Sequence, residues 1–344
     1  MPKVALLFLT TGALFHERSW ALWFSQAADL LPLHSLLLDA IVGTGAAAPG
    51  AVQPGRAAGG EGFSVESIFH GTEIAERIEV GWGSHDLVVA ARHLLAAAMA
   101  DPDNQRFVLL SESGVPLYPP AAVHAQLLSE ERSRVNACGT GYTSPQRYSP
   151  HMGPELLPHW RKSSQWFALS RAHAEHVLAD QDVLATFSAF CRNAWDADAQ
   201  RWRDCYSDEH YIPSLLSYLQ LGHETDCMGN LVSVNWMHGG AHPRAYESEE
   251  ISMELFEMLR RPDSHCEPQA LLAATERMYV AWHSLEQPLD SLHQPAFCAS
   301  APFFPQFNAS SLGGYACPLF ARKFLSDSAA AVLRQAPYLW LRRK

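Results

Sequence analysis

Lys3-Val4-Ala5-Leu6-Leu7-Phe8-Leu9-Thr10 decides how the rest of the chain is read. The run is apolar without alternation, the pattern of a strand buried on both faces of a sheet. Thr11-Gly12 turns the chain, and Trp20, Trp23, Phe24 and Ala28 then recur at helical spacing. His34-Ser35-Leu36-Leu37-Leu38-Asp39 is a second buried strand, ending on a carboxylate. This β-α-β opening predicts an α/β fold with a mostly parallel, doubly wound sheet flanked by helices, whose ligands sit at the carboxyl ends of the strands. Thr10, Thr11 and Asp39 fall on that edge, although Asp39 serves equally well as a turn former.

Residues 43–62 are rich in Gly, Ala and Pro, lack periodicity and read as a flexible insertion. No GxGxxG or GxxxxGK[ST] pattern occurs there, so Rossmann and P-loop nucleotide sites are not supported. Short strands are expected near Phe63–Ile68 and Ile78–Val80. Gly83-Ser84 then opens the clearest helix, with Leu87, Val88, Ala91, Leu94, Leu95 and Ala98 on one face. Phe107–Glu112 is the next buried strand. Asp101-Pro102-Asp103 looks like a metal-binding DxD, but such a motif should follow the core strand and this one precedes it, so it reads as a turn. A short helix reaches Leu128, irregular chain runs to about Pro158, and a strand and two helices (Arg171–Leu178, Val183–Cys191) follow.

The 344 residues suffice for a single domain spanning 1–344. A formal net charge of −11 argues against a general nucleic-acid binder, which needs a basic face. It leaves room for a small anionic ligand, because a few placed cations hold one diphosphate. No apolar run reaches the ~18–20 residues that span a bilayer. The seven cysteines show no CxxC spacing, which disfavours structural zinc. Asn308-Ala309-Ser310 is a glycosylation sequon, meaningful in a secretory compartment.

Asp204-Cys205-Tyr206-Ser207-Asp208-Glu209-His210-Tyr211-Ile212-Pro213 gathers the chemistry. Its plainest reading is a helix start, with Ser207 as cap and Asp208 and Glu209 complementing the helix dipole. Pro213 disfavours helical backbone at Ile212, so the helix is expected to begin at Pro213, leaving Glu209 on a loop. Trp160-Arg161-Lys162-Ser163-Ser164-Gln165-Trp166-Phe167 puts aromatic rings beside polar groups, which suits a sugar and equally a core. Leu231–Trp236 reads as a strand, and Trp236-Met237-His238-Gly239-Gly240-Ala241-His242-Pro243 as a glycine-hinged turn whose histidines lack metal-ligand spacing. Helices are expected at about 248–260 and 268–287, and a last one through Ala329, Leu333 and Leu339.

Together these blocks, with Gly81-Trp82-Gly83-Ser84, Arg106–Ser113, Val115–Tyr118 and Phe320-Ala321-Arg322-Lys323-Phe324, resemble the core-2/I-branching glycosyltransferases in their plant and algal branch. The resemblance runs over about residues 3–325. It implies a variant of the GT-A nucleotide-sugar fold and an inverting transfer from a UDP-sugar, N-acetylglucosamine by family default, to a glycan or glycoconjugate hydroxyl. It implies no metal and no other cofactor. By alignment with the family's blocks, Glu209 is the general base, Lys323 contacts the diphosphate, Asp39 touches the uridine and Trp236 lies in the acceptor site. Trp166 is a second acceptor-side candidate, and Arg322 the nearest substitute for a diphosphate arginine that has no clear counterpart. Asp208 is left supporting, and His210 either orients Glu209 or is a bystander. The family setting also implies a Golgi location, a membrane contact only through an anchor that the given chain lacks, and disulfides Cys191–Cys205 and Cys298–Cys317. The alternative is an inactive relative that binds carbohydrate.

Overall fold

The strands of the central sheet are those of the buried apolar runs. The computed structural model describes residues 2–10, 12, 14–26, 34–40, 67–75, 78–139, 143–197, 200–227, 231–261 and 317–340, with residues 34–40 described by their backbone. β1 (Lys3–Thr10) lies between β2 (His34–Ala40) and β3 (Asn104–Ser111), parallel to both, and β5 (Ala168–Ser170) closes the β3 edge antiparallel. Alternation along β1 divides the core in two. Val4, Leu6 and Phe8 face α1 (Glu17–Ser25), α3 (Pro120–Ser129), α7 (Met253–Arg260) and α8 (Ala329–Leu339). Ala5, Leu7 and Leu9 face α2 (Asp86–Met99), α4 (Arg171–Ala179), α5 (Asp182–Phe190) and α6 (Ser207–Tyr218). With helices on both faces every β1 side chain beyond Lys3 is buried, which is why the run needs no polar alternation.

A second small sheet sets the position of the C-terminal cations. β9 (Phe320–Ala321) lies between β4 (Val115–Pro116), antiparallel, and β8 (Val232–Ser233), parallel. A hairpin of β6 (Ala194–Asp196) and β7 (Arg201–Arg203) precedes α6. It was not expected from the sequence.

Several expectations are corrected. Ile78–Val80 forms no ladder; it is irregular chain leading into the Gly81 turn. The strand expected over Leu231–Trp236 shrinks to Val232–Ser233, because Asn235 already closes the glycine turn through its carbonyl to Arg244 N–H (2.8 Å). Asp101 and Asp103 do form a turn at the N-terminal end of β3, where Lys3 pairs with Asp101 at 2.8 Å. The 43–62 insertion, the strand residues 63–66, the 268–287 helix, Cys298 and the Asn308 sequon lie outside the described residues. Among those described, no helix is long and apolar enough to cross a membrane.

Candidate active site

α6 begins at Ser207, not at Pro213, and places Glu209 in its first turn. A proline at this depth costs less than usual because of what its missing N–H releases. In a regular helix the residue 213 N–H would bond the Glu209 carbonyl. That carbonyl instead accepts the Ser163 N–H at 2.9 Å. Two further bonds fix the same segment: Arg161 N–H donates to Ser214 Oγ (3.0 Å), and His210 Nδ1–H to the Arg161 carbonyl (2.6 Å). Residues 161–163 are thereby strapped along α6. Ser207 does not cap the helix; Tyr206 occupies that position and the Ser207 hydroxyl donates to the Cys191 carbonyl (3.3 Å). The expected Cys191–Cys205 disulfide is present and closes the hairpin segment just ahead of α6.

The strap delivers Lys162 to Glu209. Arg147 Nη1 lies 2.6 Å and Lys162 Nζ 3.2 Å from the same atom, Glu209 Oε2. Oε1 has no partner among the described residues, so one oxygen is anchored and the other is open. Arg147 comes from the turn Pro145–Arg147 and lies over the Tyr206 ring, 4.5 Å from its centroid. Asp208, next to Glu209 in the chain, differs in kind: burial, then the adjacent Glu209 charge, pushes its carboxyl up to about 7, and Oδ1 is enclosed without a partner among the described residues. Burial pushes the His210 imidazole down to about 3, so it is neutral near pH 7. It stacks on Trp160 (4.1 Å, 13°) and spends its Nδ1–H on Arg161. His210 therefore positions the strap and does not touch Glu209's carboxylate.

The cations of the C-terminal block sit at the carboxyl end of β3. Arg322 N–H bonds the Ser233 carbonyl (3.0 Å), Tyr246 N–H the Lys323 carbonyl (3.0 Å), and Phe324 N–H the Ser113 carbonyl (3.0 Å). Burial lowers the Arg322 guanidinium to about 10, with Glu112 opposing, so it stays charged at neutral pH. Lys323 is lowered by burial and by Arg322, again opposed by Glu112. Glu112 follows β3 directly, and Asp39 and Ser111 flank Leu9 in register at the same edge.

One segment joins the two halves. Lys162 pairs with Glu209, and Trp166 in the same strap carries the Arg322 guanidinium 4.9 Å above its ring. A second path runs through aromatics. Lys323 and Arg322 act electrostatically on His242, which is 5.5 Å from Trp82, and Trp82 is 5.0 Å from Tyr206. Gly83 permits that packing: its φ is +70°, and a Cβ there would come within 2.6 Å of the Tyr206 ring. Trp236, at 52% exposure, belongs to the same glycine turn as His242. Sequence reading missed Arg147, Tyr206, Trp82 and Glu112 as site residues. Arg147 lies in chain with no periodicity, and nothing in its neighbourhood signals a partner some sixty positions on. It also missed the disulfide Cys138–Cys227. Cys317 is disulfide-bonded too.

Two comparisons bear on this arrangement. Residues 56–260 match the family model described as "Branch: Core-2/I-Branching enzyme". Over 163 residues the chain is 37% identical to glycosyltransferase BC10 of Oryza sativa subsp. japonica, an alignment covering 44% of this chain and 40% of the rice protein. The alignment thus spans well under half of that relative's length. With the family match extending over more than half of the sequence, the chain belongs to the Core-2/I-branching enzyme family.

Proposed function

We propose that the protein is an inverting, metal-independent glycosyltransferase of GT-A type that moves a sugar from a UDP-sugar to a glycan or glycoconjugate hydroxyl. The observation that carries this reading is Glu209, held through Oε2 by Arg147 and Lys162 with Oε1 open, and strapped to the Arg322–Lys323 pair. In this reading Oε1 accepts the acceptor hydroxyl proton while that oxygen bonds to the anomeric carbon. The bond from that carbon to the diphosphate breaks on the opposite face, and its electron pair leaves with UDP. Lys323 and Arg322 stabilise the charge that develops there, the role a divalent cation fills elsewhere. Asp39 contacts the uridine and Trp236 lies on the acceptor side, while Trp166, expected there too, instead supports Arg322 on the diphosphate side. N-acetylglucosamine is the proposed donor sugar and the Golgi lumen the proposed compartment.

The metal-free part is supported by the Asp101–Asp103 turn, which lies at the opposite end of β3 from the cations and is engaged by Lys3. Glu209→Gln is expected to lower transfer ~10²–10⁴-fold while UDP-sugar binding persists. Transfer is expected to survive excess EDTA. Normal turnover by the Gln variant, or EDTA inactivation rescued by manganese, would refute the respective assignment.

A further inference from the structure

The chain carries a net charge of −11, yet one cavity of about 440 Å³ gathers cationic side chains. Arg132, His159, Arg161 and His223 line it beside the Cys138–Cys227 disulfide, and no carboxylate does. Glu224 and Asp226 adjoin this wall in sequence, but neither lines the cavity; Glu224 lies 3.3 Å from His173 and 3.6 Å from His223. Among the described residues neither guanidinium has an acidic partner. Arg132 is exposed and its side chain makes no bond within that set. Arg161 donates through Nη1 to the Pro158 (3.0 Å) and Trp160 (2.9 Å) carbonyls, leaving Nη2 without an acceptor and Nε enclosed without one.

Close backbone approaches build the walls. Gly139 has a φ of +77°, and a Cβ there would come within 3.0 Å of Arg161 Nη2, so the guanidinium lies against bare backbone. Gly222 meets the Ala137 carbonyl so closely that a Cβ would sit 2.7 Å from its oxygen. The disulfide ties these two stretches together. α6 also ends here, at Ser217 and Gln220, and the C-terminus of a helix disfavours an anion. Its last carbonyls, however, are taken by the N–H groups of Leu219, Gln220 and Leu221. The two guanidiniums therefore set the sign of the cavity.

We propose that this cavity is an oxyanion-binding site, taking a carboxylate, sulfate or phosphate group either as a free ion or on an acidic sugar. Paired oxygens on such a group match the donors of a guanidinium, and their charge offsets the cost of holding Arg161 half-buried with no acid beside it. The volume falls within the ~300–1,000 Å³ of small-molecule sites, so a single sugar unit fits as well as a bare ion. The site is separate from the proposed catalytic centre. Glu209 lies in the first turn of α6 and Ser217 in its last, about 12 Å further along the axis. It therefore stands whether or not Glu209 is the base.

The test is calorimetric titration of the full chain with sulfate, inorganic phosphate and glucuronate at constant ionic strength, with glucose as the neutral control. A Lys323→Ala chain is titrated in parallel, because the Arg322–Lys323 pair offers these anions a second place to bind. At least one oxyanion is expected to bind both chains with a Kd of about 1 mM or tighter, and glucose neither. Arg132→Gln is expected to weaken that binding at least about tenfold with an unchanged melting temperature, since its side chain is exposed and bonds nothing in the fold. Glucuronate binding at least about tenfold tighter than sulfate and phosphate assigns the site to an acidic sugar, and the reverse order to a free anion; either supports the proposal. No saturable oxyanion binding up to about 10 mM would overturn it. So would binding that Arg132→Gln leaves unchanged, or that disappears in Lys323→Ala.

Discussion

Replacing Arg147 by Met removes one of the two cations on Glu209 Oε2 while keeping most of the side-chain volume. The pair is short, 2.6 Å, and its side chains are only 22% and 27% exposed, so it is screened less than a surface ion pair. A hydrogen bond to a charged group is worth about 1.5–3 kcal/mol, and partial exposure favours the lower half of that range. Lys162 remains on the same oxygen at 3.2 Å, so the carboxylate is loosened and not released. Tyr206 loses the guanidinium over its ring as well, about 0.5–1 kcal/mol at such a site. If this restraint acts in the transition state, its loss of about 1.5–2 kcal/mol lowers kcat about 10- to 30-fold. The assay is UDP release at saturating donor and acceptor, alongside donor affinity by calorimetry. Arg147→Lys should recover part of the rate, since a lysine supplies the charge without the planar fork. A Met variant that turns over at the wild-type rate, in a background where Glu209→Gln is inactive, would refute the clamp as a positioning device.

Pro213→Ala supplies a helix N–H that competes with Ser163 for the Glu209 carbonyl; kcat is expected to fall several-fold although the melting temperature holds or rises, Ala being the better helix former by about 3 kcal/mol. Asp208 has a folded-state value of about 7 against a usual 3.8, so between those limits the folded chain keeps a proton that the unfolded chain releases. Its contribution is fully present below pH 3.8 and lost as pH rises through about 7. Denaturant unfolding should therefore show Asp208→Asn gaining on the wild type from pH 5 to pH 8, by about 1–2 kcal/mol after allowance for partial exposure. Replacing Cys191 and Cys205 together by Ser opens a loop of 14 positions and should cost about 3 kcal/mol in the same measurement.

What the sequence made legible was what depends on burial and on short-range chemistry. β1, β2 and the core of β3 follow from continuous apolar runs, and α2 and α8 from periodicity. The Cys191–Cys205 pair followed from the family setting and from its flanking of the base segment. The start of α6 was not legible, because the local rule at Pro213 assumes that the freed carbonyl is a loss. Ser163, fifty positions away, makes it a bond. Arg147 failed for the same reason: a cation in aperiodic chain gives no sign of where its guanidinium will end. The β6–β7 hairpin escaped because its strands are three residues each and carry no long alternating pattern.

The strap also suggests why base and leaving-group cations belong to one device under the proposed mechanism. In-line displacement needs the acceptor oxygen and the departing diphosphate on opposite sides of one carbon, and small misplacement on either side is costly. Here the two sides are not set independently. Lys162 and Trp166 lie four positions apart on one segment, one on Glu209 and the other beneath Arg322. Backbone bonds at Ser163 and Arg161 fix that segment to α6, and the Ser163 hydroxyl accepts the Asn136 N–H at 3.1 Å. At the far side Glu112, at the end of β3, favours the charged form of both cations against their burial. The carboxylate at the strand end thus helps keep the two fixed cations charged. Fixed cations need no metal to load, but only a rigid frame can keep their spacing to the base. Substitutions that loosen the strap should therefore lower kcat more than they weaken donor binding.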